Sequence, residues 1–186
     1  MNRKYPRAQW HDYNSGVYFV TVCTHHRIHY FGKICNNEII HTEIGAYLCR
    51  AIEESGIHYP KTTIDRYVVM PNHLHAIITV VPVGSRHATA PDMVINMAQN
   101  VGCLRPPCHP QEDDDFQSRN HFNALLSQVI GGIKSAVTRH AHLLKQEFRW
   151  QANFHDHIIQ NQNEYDMIAD YIDNNITNWN KDKFYT

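Results

Sequence analysis

At 186 residues with 42% hydrophobic content, the chain has the size and apolar fraction of one domain around a single core, spanning 1–186. No run of about 20 apolar residues is present to span a bilayer, and the start, Met1-Asn2-Arg3-Lys4-Tyr5-Pro6, lacks the apolar stretch of a secretory signal. The net charge of −1 does not mark a basic nucleic-acid binder, and Cys23, Cys35, Cys49, Cys103 and Cys108, without a Cys-x-x-Cys pair, suggest neither a disulfide framework nor a zinc ribbon; a reducing, cytoplasmic setting fits best.

Val17 to Thr24 is dense in β-branched and aromatic residues and is expected to be a strand. His41 to Ser55 reads as a helix with Ile44, Tyr47, Leu48, Ala51 and Ile52 at core-facing spacing. Thr42 is its N-cap candidate, and Gly56 is placed to stop it. Thr62 to Met70 and His73 to Val81 form an expected hairpin around Pro71-Asn72. From 82 to 120 the pattern collapses into prolines, polar residues and the acidic run Glu112-Asp113-Asp114-Asp115, a long irregular insertion in which Val94 to Val101 is a short helix candidate. Helical periodicity resumes from His121 to Glu147, with Gly131-Gly132 placed for a kink or a close approach to another backbone. Phe148 to Gln151 and Phe154 to Ile159 read as extended, and Glu164 to Asn175 as the last helix. The order β-α-β-β-α-β-α is close to the split βαβ, ferredoxin-like class of α+β folds, an antiparallel sheet with helices.

His73-Leu74-His75 carries the chemistry. Side chains alternate along a strand, so both imidazoles project from one face and can share a divalent metal ion, given a third ligand and open positions for phosphate oxygens. Structural histidines within a sheet are the competing explanation. In the last helix Tyr165, Ile168, Ala169, Ile172 and Ile176 form the core stripe. Tyr171 lies off that stripe on the side it shares with Asn175, four residues on. A paired-histidine strand with a tyrosine-bearing helix suggests metal-assisted phosphoryl transfer through the tyrosine, although a surface tyrosine and an Asn C-cap account for the same residues. A second such triplet, His155-Asp156-His157, is read as supporting the fold or touching DNA. Arg3, Lys4 and Arg7, with Lys134 and Arg139 on the long helix, are candidate phosphate contacts or simply solvated charges. Trp179 and Tyr5 are candidates to stack on unpaired bases.

Taken together, Phe19-Val20-Thr21-Val22-Cys23-Thr24, Met70-Pro71-Asn72-His73-Leu74-His75, Gly132-Ile133-Lys134-Ser135 and Tyr171-Ile172-Asp173-Asn174-Asn175 resemble the IS200-like single-tyrosine transposases, most of all the REP-associated tyrosine transposases of the HUH superfamily. The resemblance runs in order along nearly the whole chain apart from 82–120. It implies that His73 and His75 bind Mg²⁺ or Mn²⁺, that Asn175 is the third ligand, and that Tyr171 is the nucleophile. It implies a nicking and joining enzyme for single-stranded or hairpin DNA that passes through a 5′-phosphotyrosine link, associated with the nucleoid and acting as a monomer or a homodimer. Where the family often has proline after that Asn, this chain has Ile176, so the helix is expected to run further. Two other readings are a nucleic-acid-binding protein without catalysis on the same scaffold, and a zinc hydrolase to which Tyr171 is dispensable.

Overall fold

A computed structural model describes residues 15–81 and 124–186. Four strands, β1 (Gly16–Cys23), β4 (Thr62–Met70), β5 (His73–Val80) and β6 (His155–Ile158), form one sheet in the order β4-β5-β1-β6. Every neighbouring pair is antiparallel. Helix α1 (Glu43–Glu53) connects β1 to β4, and α3 (Leu125–Leu143) lies between β5 and β6 in the chain. This is the expected split βαβ arrangement of an α+β fold.

The sheet separates two cores because side chains alternate across it. Tyr18, Val20 and Val22 of β1 and Leu74, Ala76 and Ile78 of β5 pack against Ile44, Leu48 and Ile52 of α1 and Leu126, Val129, Ile130, Ile133 and Val137 of α3. Val17, Cys23 and Ile77 face the other way, toward Tyr165 and Ile172 of α4 (Gln162–Asp173) and toward Trp179 and Phe184 of the C-terminal segment. Residue parity therefore puts His75 and His73, two and four positions before Ile77, on the α4 side.

Thr42 caps α1 by accepting a hydrogen bond from the Gly45 amide. Gly45 itself admits no side chain, since a Cβ there would collide with the Phe31 carbonyl. Gly56 does not end the helical run: after α1 the chain turns again through α2 (Ser55–His58), which contains it. The Gly131-Gly132 pair does not kink α3; instead Gly132 leaves room for the Tyr59 hydroxyl, a side chain rather than another backbone.

A second, two-stranded sheet was not anticipated from the sequence. β2 (Gly32–Cys35) and β3 (Glu38–His41) pair across Asn36 and Asn37, whose φ values of 54° and 60° make the two-residue turn that matches strand twist. Near the other end only Trp150 of the Phe148–Gln151 stretch joins the sheet, as an isolated bridge to Thr24. The last helix runs earlier than expected, capped at its start by Asn161, whose side chain accepts from the Glu164 amide. The insertion at 82–120, with Val94 to Val101, Cys103 and Cys108, lies outside the described residues.

Candidate metal centre and tyrosine

The tight β4-β5 turn pairs Met70 with His73, and the β1-β5 register pairs His73 with Cys23 and His75 with Thr21. Both histidines are buried, at 0% and 1% exposure, with ring centroids 4.4 Å apart. One nitrogen of each is held from behind: His73 Nδ1 lies 2.8 Å from Asn72 Oδ1, and His75 Nδ1 lies 2.8 Å from Thr21 Oγ1. Burial, reinforced for His73 by its neighbour His75 and by Arg27, drives the imidazoles below their ordinary value, to about 2 for His73 and about 4 for His75. Both are neutral at ordinary pH, which is the protonation state that ligates metals.

Tyr171, 41% exposed, projects from the last turn of α4 with its hydroxyl 3.2 Å from His75 Nε2. The same hydroxyl donates to Asp182 Oδ2 at 2.9 Å. Asn175, 2% exposed, donates its amide to that oxygen at 3.0 Å. Burial first, then the hydrogen bond and charge of Asp182, push the phenol up to about 12. Asn175 reaches the site by a route other than the one foreseen. The helix ends at Asp173 and does not run on through Ile176; Asn174 is the C-cap and the Asn175 amide makes a tighter bond to the Ile172 carbonyl at 3.2 Å. The physical cause is a run of polar side chains that compete for backbone carbonyls. Asn174 Nδ2 bonds the Asp170 carbonyl, and Thr177 Oγ1 and Asn178 Nδ2 both bond the Asn174 carbonyl.

Asp182 was not singled out in the sequence. It follows the 3₁₀ turn Trp179–Lys181, where Lys181-Asp182-Lys183 reads as a solvated charge run. Its Oδ1 accepts from the Phe184 amide at 2.6 Å, which bends the chain so that the Phe184 ring lies against His73 at 4.6 Å between centroids. His73, His75 and Asp182 each offer one ligand atom, all within 4.8 Å of one another. Among the described residues four buried side-chain polar atoms lack a hydrogen-bond partner, and two of them, His73 Nε2 and Asn175 Oδ1, belong to this cluster. Buried polar atoms are nearly always satisfied, so two bare acceptors beside a carboxylate and a second imidazole have the donor chemistry of a cation site.

Of the remaining candidates among the described residues, only Trp179 borders the site. His157 of the second His-x-His triplet bonds Glu164 at 2.6 Å, tying β6 to the start of α4. Lys134 donates its ammonium to the carbonyls of Gln151 (2.9 Å) and Asn153 (3.1 Å), and so is committed to holding the loop before β6. Arg139 is exposed along a shallow groove with Ser135, Thr138 and His142. Trp179 is buried, 6.0 Å from the His73 ring and 5.3 Å from Tyr185. Arg3, Lys4, Tyr5 and Arg7 lie outside the described residues. No described helix is long and apolar enough to cross a membrane.

No family model matches the chain. A Haemophilus influenzae (strain ATCC 51907 / DSM 11121 / KW20 / Rd) protein, described as uncharacterized, is 30% identical over 190 residues, spanning 99% of this chain and 93% of that protein. A solved structure described as a REP-associated tyrosine transposase bound to a REP hairpin shares the fold, with a TM-score of 0.50 and 21% identity over 98% of this chain and 76% of that one.

Proposed function

The chain belongs to one family with that uncharacterized protein, and we propose that it is a metal-dependent, single-tyrosine DNA nicking and joining enzyme of the REP-associated tyrosine transposase type. The observation that carries the reading is the meeting of Tyr171 with the histidine pair. Strand β5, the end of α4 and the C-terminal segment converge to put a phenol 3.2 Å from His75 and 2.9 Å from Asp182, next to two unsatisfied buried acceptors. A surface tyrosine or a structural histidine pair requires none of this. The fold shared with a transposase bound to a REP hairpin supports hairpin or single-stranded DNA as the substrate class.

In this reading His73, His75 and Asp182, with the Asn175 amide oxygen, hold a Mg²⁺ or Mn²⁺ ion. When bound, the ion supplies Lewis-acid stabilisation to the charge that grows on the phosphate oxygens. Tyr171 supplies the nucleophile. Its oxygen forms a bond to phosphorus, the bond from phosphorus to the 3′ oxygen breaks, and the leaving oxygen takes up a proton to become a free 3′-OH. Asp182, which already accepts the phenol's hydrogen bond, is the nearest acceptor for the tyrosine proton. The phosphotyrosine link keeps the energy of the phosphodiester, so attack by another 3′-OH rejoins strands without ATP. Tyrosine and histidine pair come from one chain, so the arrangement needs no second subunit to form.

The test is a denaturing gel of the protein incubated with labelled hairpin DNA and Mg²⁺ or Mn²⁺. The wild-type chain forms a covalent protein–DNA adduct and Tyr171→Phe forms none. DNA retention without an adduct in either protein would establish binding alone, and cleavage unaffected by the substitution would establish a hydrolase.

A further inference from the structure

We infer that Asn72 is a positioning residue that locks His73 into the tautomer able to ligate a metal, while His75 is left free to switch. The deduction rests on the metal site proposed above, and it follows from which atoms donate and which only accept. Asn72 is fully buried. Its Nδ2 lies 2.9 Å from the Phe184 carbonyl and 3.3 Å from the Arg27 carbonyl. Carbonyl oxygens only accept, so the amide nitrogen must face them and Oδ1 must face His73. An amide oxygen also only accepts. The 2.8 Å contact between Asn72 Oδ1 and His73 Nδ1 therefore requires the proton on Nδ1. With that proton on Nδ1 and no acceptor within hydrogen-bond reach of the buried Nε2, a second proton there would be an unsatisfied buried donor, so Nε2 carries a bare lone pair. The lone pair is held ready before any ion arrives.

His75 is wired differently. Its Nδ1 meets the Thr21 hydroxyl at 2.8 Å, and a hydroxyl can donate or accept. On the opposite side the Tyr171 hydroxyl has one proton, and it donates that proton to the Asp182 carboxylate at 2.9 Å. The 3.2 Å contact to His75 Nε2 is then a bond from Nε2–H to the phenol oxygen. In the metal-free chain the two imidazoles thus hold opposite tautomers. Ligation through His75 Nε2 moves its proton to Nδ1 with no net change in proton count, and Thr21 turns its hydroxyl from donor to acceptor. Second-layer partners of this kind set ligand orientation and basicity, and their loss typically lowers metal affinity about 10- to 100-fold.

The measurement is a two-bond ¹H–¹⁵N NMR spectrum of metal-free protein labelled in histidine, with the His73 signals identified by their loss in His73→Gln and those of His75 by their loss in His75→Gln. Expected is a protonated Nδ1 and bare Nε2 at His73, the reverse at His75, and a change to protonated Nδ1 at His75 alone when Mg²⁺ is added. A protonated Nε2 at His73, or a His75 that keeps its tautomer with Mg²⁺ bound, overturns the inference. Mn²⁺ binding read by electron paramagnetic resonance gives the second arm. Asn72→Ala removes both the acceptor for Nδ1–H and the tie to the Phe184 carbonyl, and binds Mn²⁺ about 10- to 100-fold more weakly. Equal affinity in Asn72→Ala and wild type also overturns it, and if that variant does not fold the wild-type spectrum still decides. Neither readout uses DNA. The predicted tautomers without an adduct would sink the functional reading alone, and an adduct with the wrong tautomer would sink this inference alone.

Discussion

Acidifying the metal-free protein should unfold it through His73 and His75 in particular. Both are neutral when folded, with values lowered from 6.5 to about 2 and about 4, chiefly by burial. In the unfolded chain each titrates near 6.5. Below that pH the unfolded state binds more protons than the native state, so stability falls as pH falls. The window opens at 6.5 and runs down to about 4 for His75 and to about 2 for His73. Within it each group contributes at most about 1.4 kcal/mol of loss per pH unit. From pH 6.5 to 5.0 the pair therefore accounts for up to about 4 kcal/mol, a large share of the roughly 5–15 kcal/mol that holds a domain folded. The assay is the urea midpoint of metal-free protein at several pH values between 7.5 and 5.0, for wild type and for His73→Gln/His75→Gln. The wild-type midpoint should fall steeply below 6.5 and that of the double variant much less. Parallel curves would refute the argument, because the acid sensitivity would then belong to other groups. Mn²⁺ at 100 times its dissociation constant should add about 2.7 kcal/mol to the wild type at pH 7.5, an increment that holds toward pH 5.0 because both imidazoles stay neutral in the folded chain.

Tyr171→Phe should change the urea midpoint by no more than about 1 kcal/mol, since the hydroxyl is half-exposed, while leaving Mn²⁺ affinity intact and removing the DNA adduct. Asp182→Asn removes the charge that helps hold the phenol at about 12; the Tyr171 titration, followed by ¹³C NMR of labelled tyrosine, should move down, and an unmoved titration would dismiss Asp182 as a cause. Lys134→Met strips the donors from the Gln151 and Asn153 carbonyls and should lower stability by about 1–3 kcal/mol in urea melts. A loss of salt-dependent DNA affinity at unchanged stability would instead assign Lys134 to phosphate contact. Gly45→Ala, whose Cβ would strike the Phe31 carbonyl, should cost about 1–3 kcal/mol by overpacking, read from the same melts.

What could be read from the sequence was local. The β4-β5 hairpin was visible because Val, Ile and Thr flank a Pro-Asn turn that admits no other connection, and strand alternation then set both histidines on one face. Thr42 was visible as a cap because capping is a three-residue relation. Asn36-Asn37 carried a hairpin signal too, weaker than Asn-Gly and flanked by strands of only four residues, and it was overlooked. Asn175 was placed near Tyr171 by helical spacing, yet the helix is already over at Asp173 and a tightened turn brings the amide inward instead. Asp182 was beyond local reasoning. Its position depends on a contact across 112 residues, the Asn72 side chain bonding the Phe184 carbonyl, which folds the C-terminal segment back over the histidines.

That long-range contact also explains how the burial of the site is distributed. His73, His75 and Asn175 are 0–2% exposed and fixed by hydrogen bonds or by the core, whereas Tyr171 is 41% exposed at the end of a helix. A site that bound only a small ion would have no reason to keep its phenol at the lip. One that must meet a nucleic-acid backbone needs a rigid floor, so that ligand atoms keep their spacing, and a nucleophile reachable from outside, because the phosphate arrives on a polymer too large to enter. The division between buried acceptors on the sheet and just past α4 and an exposed hydroxyl on the last helical turn satisfies both demands with side chains from separate elements. A substitution that loosens the C-terminal segment without touching Tyr171, such as Phe184→Ala, should therefore weaken Mn²⁺ binding while leaving the tyrosine accessible; wild-type Mn²⁺ affinity in that variant would show that the floor is set by the sheet alone.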